Sequence, residues 1–92
     1  MNIEEFAKAV EEGEKASLVR AGMNCEANMK NCVTHTHQGR KWCRVDIGGA
    51  GKYMIDPDGN IFGIKAYGVP HLGHHFGTLS NPSPACFRGL WG

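Results

Sequence analysis

Cysteines and histidines are the residues of this chain with the most specific chemistry, because both ligate metals and both act in nucleophilic catalysis. They are Cys25, Cys32, Cys43, Cys86, His35, His37, His71, His74 and His75. The cysteines stand in the arrangement C-x6-C-x10-C-x42-C, whereas a structural zinc site usually includes a C-x2–4-C turn that brings two thiolates together. The spacing favours reduced, partly buried thiols and no cofactor. A small zinc-stabilised nucleic-acid-binding module stays open as an alternative.

The pattern of these residues gives little support to catalysis. A cysteine nucleophile needs a base and an orienting group nearby, and no local signature pairs Cys25 or Cys43 with a histidine. The GGAG stretch at 48–51 is not followed by a predicted helix that would offer N–H groups to a phosphate, so it indicates a connection between strands. His74 and His75 stand near glycines and are expected in an exposed loop. We therefore expect a protein that is not an enzyme.

Basic residues cluster beside an aromatic residue in the middle of the chain, where Arg40, Lys41 and Arg44 flank Trp42. Cations meet phosphates and rings stack on unpaired bases, so this cluster suits a nucleic-acid or ribonucleoprotein surface. The same cations would also keep a small domain soluble, and composition alone does not separate the two interpretations. The candidate binding residues are Lys30, Arg40, Lys41, Arg44, Lys65, Tyr67 and His71.

Length and charge limit the kind of protein further. The 92 residues predict a single domain, 1–92, that buries roughly 60–65% of the surface its unfolded chain exposes. No apolar run approaches roughly 18–20 residues, and the acidic N-terminus lacks the basic and apolar parts of a signal peptide, so a cytosolic protein is expected. The net charge of +1 divides into −4 over residues 1–14 and +5 over the remainder. The acidic part is expected to be a solvated helix face or a surface that meets a nucleoprotein.

The N-terminal segment predicts a short amphipathic helix whose apolar residues recur at i, i+3, i+4 and i+7. These are Ile3, Phe6, Ala7 and Val10. Asn2 and Glu5 are placed to form a capping box, and Gly13 is expected to end the helix. Lys15–Arg20 is expected to form a brief strand, with a second helical turn as the alternative. Met23–Asn31 is expected to be a loop or one helical turn.

Two β-hairpins are predicted in the middle of the chain. Cys32–Gln38 and Trp42–Ile47 alternate in polarity and are joined through the turn residues 39–41. Lys52–Asp56 and Ile61–Tyr67 flank an Asp-Pro-Asp-Gly-Asn sequence, in which proline presets φ and the other residues favour a tight turn. The pattern therefore predicts four strands in two antiparallel pairs.

The last of these strands has an apolar and a polar side, each made by alternate residues. The apolar set is Phe62, Ile64 and Ala66, and the other set is Gly63, Lys65 and Tyr67. The apolar set is expected to face the core. Lys65 and Tyr67 are then expected together on the solvent side.

These elements predict an α+β fold in which the N-terminal helix packs on a small antiparallel sheet of about four strands. The C-terminal tail is expected to be irregular because it contains Pro82 and Pro84. Its large apolar residues Phe87, Leu90 and Trp91 would be unfavourable in water. They are expected to seal one edge of the sheet or, as the alternative, to await a partner.

Several stretches of the chain resemble known phage proteins. The block YMIDPDGNIFGIKAYGVPHLGHHFGTL resembles a stretch of small phage and prophage proteins. The acidic opening MNIEEFAKAVEEGE, the C-terminal CFRGLWG and the length resemble phage-encoded anti-CRISPR proteins that act on the type I-F (Csy) surveillance complex.

The resemblance implies a non-enzymatic inhibitor that works in the host bacterial cytosol. Such a protein would contact Cas subunits and the guide RNA of the complex and would block hybridisation of target DNA. The interface is expected to include Lys30, Arg40, Lys41, Lys65 and Tyr67. Besides the zinc module, a phage protein that sequesters a nucleotide immune signal stays open as an alternative.

Overall fold

The computed structural model describes residues 1–66 and 68–89, which form two helices, five strands and a short 3₁₀ helix. In chain order they are α1 (Ile3–Arg20), α2 (Glu26–Lys30), β1 (Thr34–Gln38), β2 (Cys43–Ile47), β3 (Ala50–Ile55), β4 (Asn60–Ala66), β5 (Val69–Thr78) and the 3₁₀ helix Pro84–Phe87. The α+β class is confirmed, with five strands where about four were expected. No helix in these two ranges is long and apolar enough to cross a bilayer.

Helix α1 begins as the sequence predicts but continues further. Asn2 and Glu5 form the capping box, since each side chain accepts the backbone N–H of the other. The prediction that Gly13 ends the helix is wrong, and Lys15–Arg20 is helical where a strand was expected. The helix continues because Ser17 and the residue after it are buried against the rest of the fold. Gly13 serves a packing role, because a side chain there would collide with the backbone of the 3₁₀ helix.

The segment after α1 agrees with the expected loop or single helical turn. A left-handed glycine, Gly22 with φ of +70°, follows the last turn of α1. Helix α2 then spans only five residues, and none of them is buried. This segment carries the chain to the start of β1 without contributing to the core.

The sheet is an antiparallel meander in which each strand pairs with the next, in the order β1-β2-β3-β4-β5. Both predicted hairpins are confirmed, with Gln38 paired to Cys43 and Ile55 paired to Ile61 across their turns. The fifth strand is a correction, because the residues around His74 and His75 were expected in an exposed loop. They lie in β5, whose register against β4 shifts three times, and these irregularities hide the alternation that marks a strand.

The hydrophobic core lies between α1 and one face of the sheet. Its buried members are Phe6, Ala7, Val10, Cys43, Val45, Tyr53, Ile55, Ile61 and Cys86. The Phe6 ring meets the Tyr53 ring edge to face at 5.5 Å, and aromatic pairs of this kind add to the burial of apolar area. We call this side of the sheet the inner face and the opposite side the outer face.

The expected orientation of β4 is wrong for Phe62. Ile61 and Gly63 are buried on the inner face, whereas Phe62 is half-buried against Trp42 on the outer face. Ile64 is half-buried and Ala66 is exposed. Both alternating sets of this strand contain an apolar β-former, so period alone does not choose the face. The pairing with β3 determines the face, because Ile61 stands opposite Ile55 and Gly63 opposite Tyr53, and both partners are core residues.

The tail after β5 closes the core. Pro84 occupies the first turn of the 3₁₀ helix, where its missing N–H costs nothing. Cys86 is buried, and the Phe87 ring contacts the Phe6 ring at 5.8 Å. Phe87 is therefore packed against the core through α1, where the sequence led us to expect it at one edge of the sheet. The two other apolar residues of that prediction, Leu90 and Trp91, lie outside the described residues.

Candidate nucleic-acid interface

The turn between β1 and β2 presents two cations to solvent. Gly39 closes the turn by donating its N–H to the Trp42 carbonyl at 2.8 Å. Arg40 and Lys41 lie between them, and both are exposed. Because the turn is closed by the backbone, both long side chains project from a fixed point of the sheet.

The residues next to this turn form one row across the outer face. Strand pairing aligns His37 with Arg44, Arg44 with Met54, Met54 with Phe62, and Phe62 with His75. Side chains aligned in this way share one face and touch their neighbours. The outer face therefore has a basic end near β1 and an aromatic end near β5.

At the basic end a buried carboxylate holds the arginine in place. Asp46 is only 5% exposed and accepts a hydrogen bond from Arg44 Nε at 2.9 Å. Its second oxygen, Oδ2, lies 3.5 Å from His37 Nε2. A nearly buried carboxylate needs such partners, since burial without them is unfavourable. The Arg44 guanidinium is consequently held against the sheet by this hydrogen bond. The side chains of Arg40 and Lys41 extend instead from the turn into solvent.

Trp42 connects the basic end to the aromatic end. Its ring meets Phe62 edge to face at 5.6 Å, and Phe62 in turn stacks with His75 at 5.0 Å. The Lys41 ammonium lies 5.5 Å from the centre of the Trp42 ring. At an exposed site such a cation–π contact contributes only about 0.5–1 kcal/mol, less than the about 1–3 kcal/mol of a base stacked on an aromatic ring.

These side chains line a groove of about 370 Å³ on the outer face, which we call the hairpin groove. Its lining residues are His37, Gln38, Gly39, Arg40, Lys41, Trp42, Arg44, Met54 and Gly68. Three of these residues carry permanent positive charges, and none is acidic. The groove therefore suits an anion that also has a flat apolar part.

The structure brings together three of the seven candidate binding residues. Arg40, Lys41 and Arg44 line the hairpin groove, whereas Lys30, Lys65 and His71 do not. Lys30 ends α2 at the far end of β1 and pairs with Glu26 at 3.3 Å. Lys65 is exposed near the end of β4, and His71 stacks on His74 at 3.9 Å in β5. Tyr67 lies outside the described residues.

Sequence reasoning missed part of the groove. The sequence-based candidates omit His37, Met54 and Trp42, although all three line the groove. The register explains the omission, because a turn over 39–41 would pair His37 with Cys43, whereas the structure turns at residues 40–41 and pairs His37 with Arg44 on one face.

The described residues do not assemble a metal centre from the cysteines and histidines. Within them, no three His, Cys, Asp or Glu side chains come close enough together to hold a metal ion. All four cysteines are free thiols. Burial raises the pKa of the Cys32, Cys43 and Cys86 thiols, and a thiol with a raised pKa is a weak nucleophile at neutral pH.

A second concavity of about 370 Å³ lies on the inner face, between α1, the sheet and the 3₁₀ helix. Its lining includes Lys52 together with Glu14, which is only 5% exposed. A carboxylate repels phosphate, so this cavity is a poorer site for a nucleic-acid backbone than the hairpin groove, whose charged lining residues are cations.

The fold and the groove define the class of this protein as a small α+β domain with a basic and aromatic groove on the outer face of its sheet. No protein-family model, curated protein or solved structure matches the chain.

Proposed function

We propose that this protein is a non-enzymatic phage anti-CRISPR inhibitor that binds the type I-F (Csy) surveillance complex and blocks hybridisation of target DNA. The observation that carries the proposal is the hairpin groove, where Arg40 and Lys41 stand beside Trp42. The resemblance of the sequence to phage anti-CRISPR proteins supplies the identity of the complex, and the groove supplies a surface for its guide RNA.

The physical basis of inhibition is competition for space and charge. An RNA-guided complex holds its guide in a positively charged channel that also receives the target strand. A compact domain lodged there needs only to exclude the strand, so no bond has to be made or broken. In this arrangement the hairpin groove meets the guide RNA, and the exposed Glu4 and Glu12 of α1 face cations of Cas subunits in the host cytosol.

The test mixes the purified protein with a reconstituted type I-F complex and follows both co-migration and binding of target DNA by gel shift. We expect co-migration together with loss of the DNA shift. The double charge reversal Arg40→Glu with Lys41→Glu is expected to weaken binding by at least about tenfold, since it places two anions against the guide backbone.

A matched control reverses two other exposed lysines, Lys30→Glu and Lys65→Glu, which lie outside the groove. It changes the net charge by the same amount and is expected to retain most of the affinity. Absence of co-migration by the wild-type protein would contradict the proposed function. Equal losses in the two double variants would contradict the role of the groove.

A further inference from the structure

We propose that the hairpin groove clamps one unpaired nucleotide of single-stranded RNA, with its phosphate on Arg40 and Lys41 and its base on Trp42. The inference depends on the proposed function only for the identity of the strand, which would be the guide RNA. The binding mode itself belongs to the free protein and is measured without the complex.

The phosphate position follows from which cations of the groove are already engaged. Asp46 holds the Arg44 guanidinium through the 2.9 Å hydrogen bond, so Arg44 forms a wall of the groove. Arg40 and Lys41 project from the closed turn into solvent, and none of the described residues that line the groove is acidic. The carboxylate of Asp56 interacts electrostatically with Lys41 but lies outside the groove. A guanidinium can bind phosphate through two parallel hydrogen bonds, and the neighbouring ammonium adds a point charge.

The base position follows from the surroundings of Trp42. The ring is half-buried and braced by Phe62 at 5.6 Å, so little ordering is needed when a base stacks on it. The Lys41 ammonium lies 5.5 Å above the ring, and the contact it makes there is weaker than base stacking. A base that enters therefore displaces this ammonium from the ring toward the phosphate of the same nucleotide.

The strand must be unpaired for this mode of binding. In a duplex, neighbouring bases cover both faces of every base, so a side chain cannot stack on it without unwinding. The volume of about 370 Å³ falls within the range of about 300–1,000 Å³ that is usual for small-molecule sites. We therefore assign one nucleotide to the groove and expect the rest of the strand to continue over the outer face.

The test measures binding of the full chain to a labelled 12-nucleotide unstructured RNA by fluorescence anisotropy at low salt. Trp42→Ala is expected to weaken binding by about 5- to 150-fold, the equivalent of one base-stacking interaction. Trp42→Phe keeps an aromatic face and is expected to recover most of the affinity. Replacing Arg40 and Lys41 by Gln is expected to reduce the slope of log K against log salt by about 0.7 for each phosphate that the variant no longer neutralises.

Several outcomes would overturn the inference. One is unchanged affinity of Trp42→Ala or, if the alanine variant melts early, of Trp42→Leu, which keeps apolar bulk but offers no aromatic face for stacking. Another is duplex RNA that binds as tightly as the single-stranded 12-mer. A third is a mononucleotide that binds as tightly as the 12-mer, because the groove would then be a site for a free nucleotide.

The experiment separates this inference from the proposed function. If naked RNA does not bind but the protein co-migrates with the surveillance complex, the nucleotide clamp fails and the inhibitor function stands. If naked RNA binds through Trp42 but the complex is not bound, the clamp stands and the inhibitor function fails.

Discussion

Asp56 organises the turn between β3 and β4 through its carboxylate. It accepts hydrogen bonds from the backbone N–H of Asp58 at 3.0 Å, from the backbone N–H of Asn60 at 2.8 Å and from the Asn60 side chain at 2.9 Å. Burial acts to raise the pKa of Asp56, but these hydrogen bonds and the charge of Lys41 outweigh it, so the pKa lies below its ordinary value of 3.8. The folded protein therefore favours the ionised form of this group.

This pKa shift predicts a pH-dependent effect of Asp56→Asn. A lowered pKa in the folded state stabilises the fold above the ordinary value and loses that contribution as pH falls through the folded pKa. The variant should therefore be less stable than wild type at pH 7, and the difference should shrink below about pH 4. Urea denaturation at pH 7, 5 and 3 measures it, with Asp58→Asn in the same turn as control. A difference that stays constant over this range would contradict the assignment.

At the scale of single residues the sequence predicted the turn better than the groove. The types of Asp56, Pro57 and Gly59 fix the turn locally, and the structure has Gly59 at φ of +86°. The position of Arg44 depends instead on Asp46, whose burial is decided by strands that pack around it. Tertiary packing decides which side chains are exposed and which groups they contact. The positions of the cations in the sequence therefore do not predict which cations come together in the fold.

Among the elements, α1 and the 3₁₀ helix depend on each other most directly. Gly13 lies in the middle of an 18-residue helix, where glycine usually weakens the structure. The backbone of Phe87 packs against it so closely that a Cβ would overlap the Phe87 carbonyl. The glycine thus gives up some helix propensity and allows the tail to close over the core.

This contact predicts that Gly13→Ala destabilises the protein, although alanine is the better helix former by about 0.5–1 kcal/mol. The overlap with a backbone carbonyl should dominate and lower the free energy of unfolding by about 1–3 kcal/mol. Thermal or urea denaturation measures the change. Gly49→Ala is the control, because a Cβ there meets nothing within 4 Å, and it should stay within about 0.5 kcal/mol of wild type. A more stable Gly13→Ala variant would contradict the close packing.

Hairpins were predicted from the sequence and β5 was not, for a physical reason. Local turn chemistry at 39–41 and around Pro57 determines the two hairpins, and the structure confirms them. Strand β5 pairs with β4 through three shifts of register, and residues 71 and 75 both stand opposite adjacent residues of β4. Because of these register shifts, the sequence of β5 lacks the alternation of polar and apolar residues that identifies a regular strand.

Across the whole molecule, α1 carries exposed glutamates beside the exposed cations Lys8 and Arg20, and exposed cations border the hairpin groove. Glu4 and Glu12 are exposed on α1, whereas Arg40 and Lys41 border the groove on the outer face. Other glutamates of α1 have structural partners, such as Glu11, which accepts the Thr34 backbone N–H at 2.9 Å. The net charge of +1 thus understates the positive field at the groove.

The effect of local charge on RNA binding can be distinguished from the effect of net charge by two double variants. Each variant neutralises two charged side chains. Replacing Glu4 and Glu12 by Gln removes two negative charges and moves the net charge from +1 to +3. Replacing Arg40 and Lys41 by Gln removes two positive charges and moves it from +1 to −1. Because nearby charges dominate at physiological salt, the groove variant should lose about tenfold or more in RNA affinity and the helix variant should change less than about twofold. Anisotropy at about 0.15 M salt measures both, and opposite shifts of equal size would indicate a net-charge effect alone.

The meander order of the sheet has a consequence for how quickly the molecule forms. Contacts between neighbours along the chain close fast, because little loop entropy is lost, and mixed domains fold on a timescale of about milliseconds, faster than the synthesis of a single residue. Synthesis proceeds at about 5–20 residues per second, so β1, β2 and β3 have time to pair while later residues are still being added. The groove-bearing hairpin is therefore expected to form early, and the docking of Phe87 onto α1 to complete the fold last.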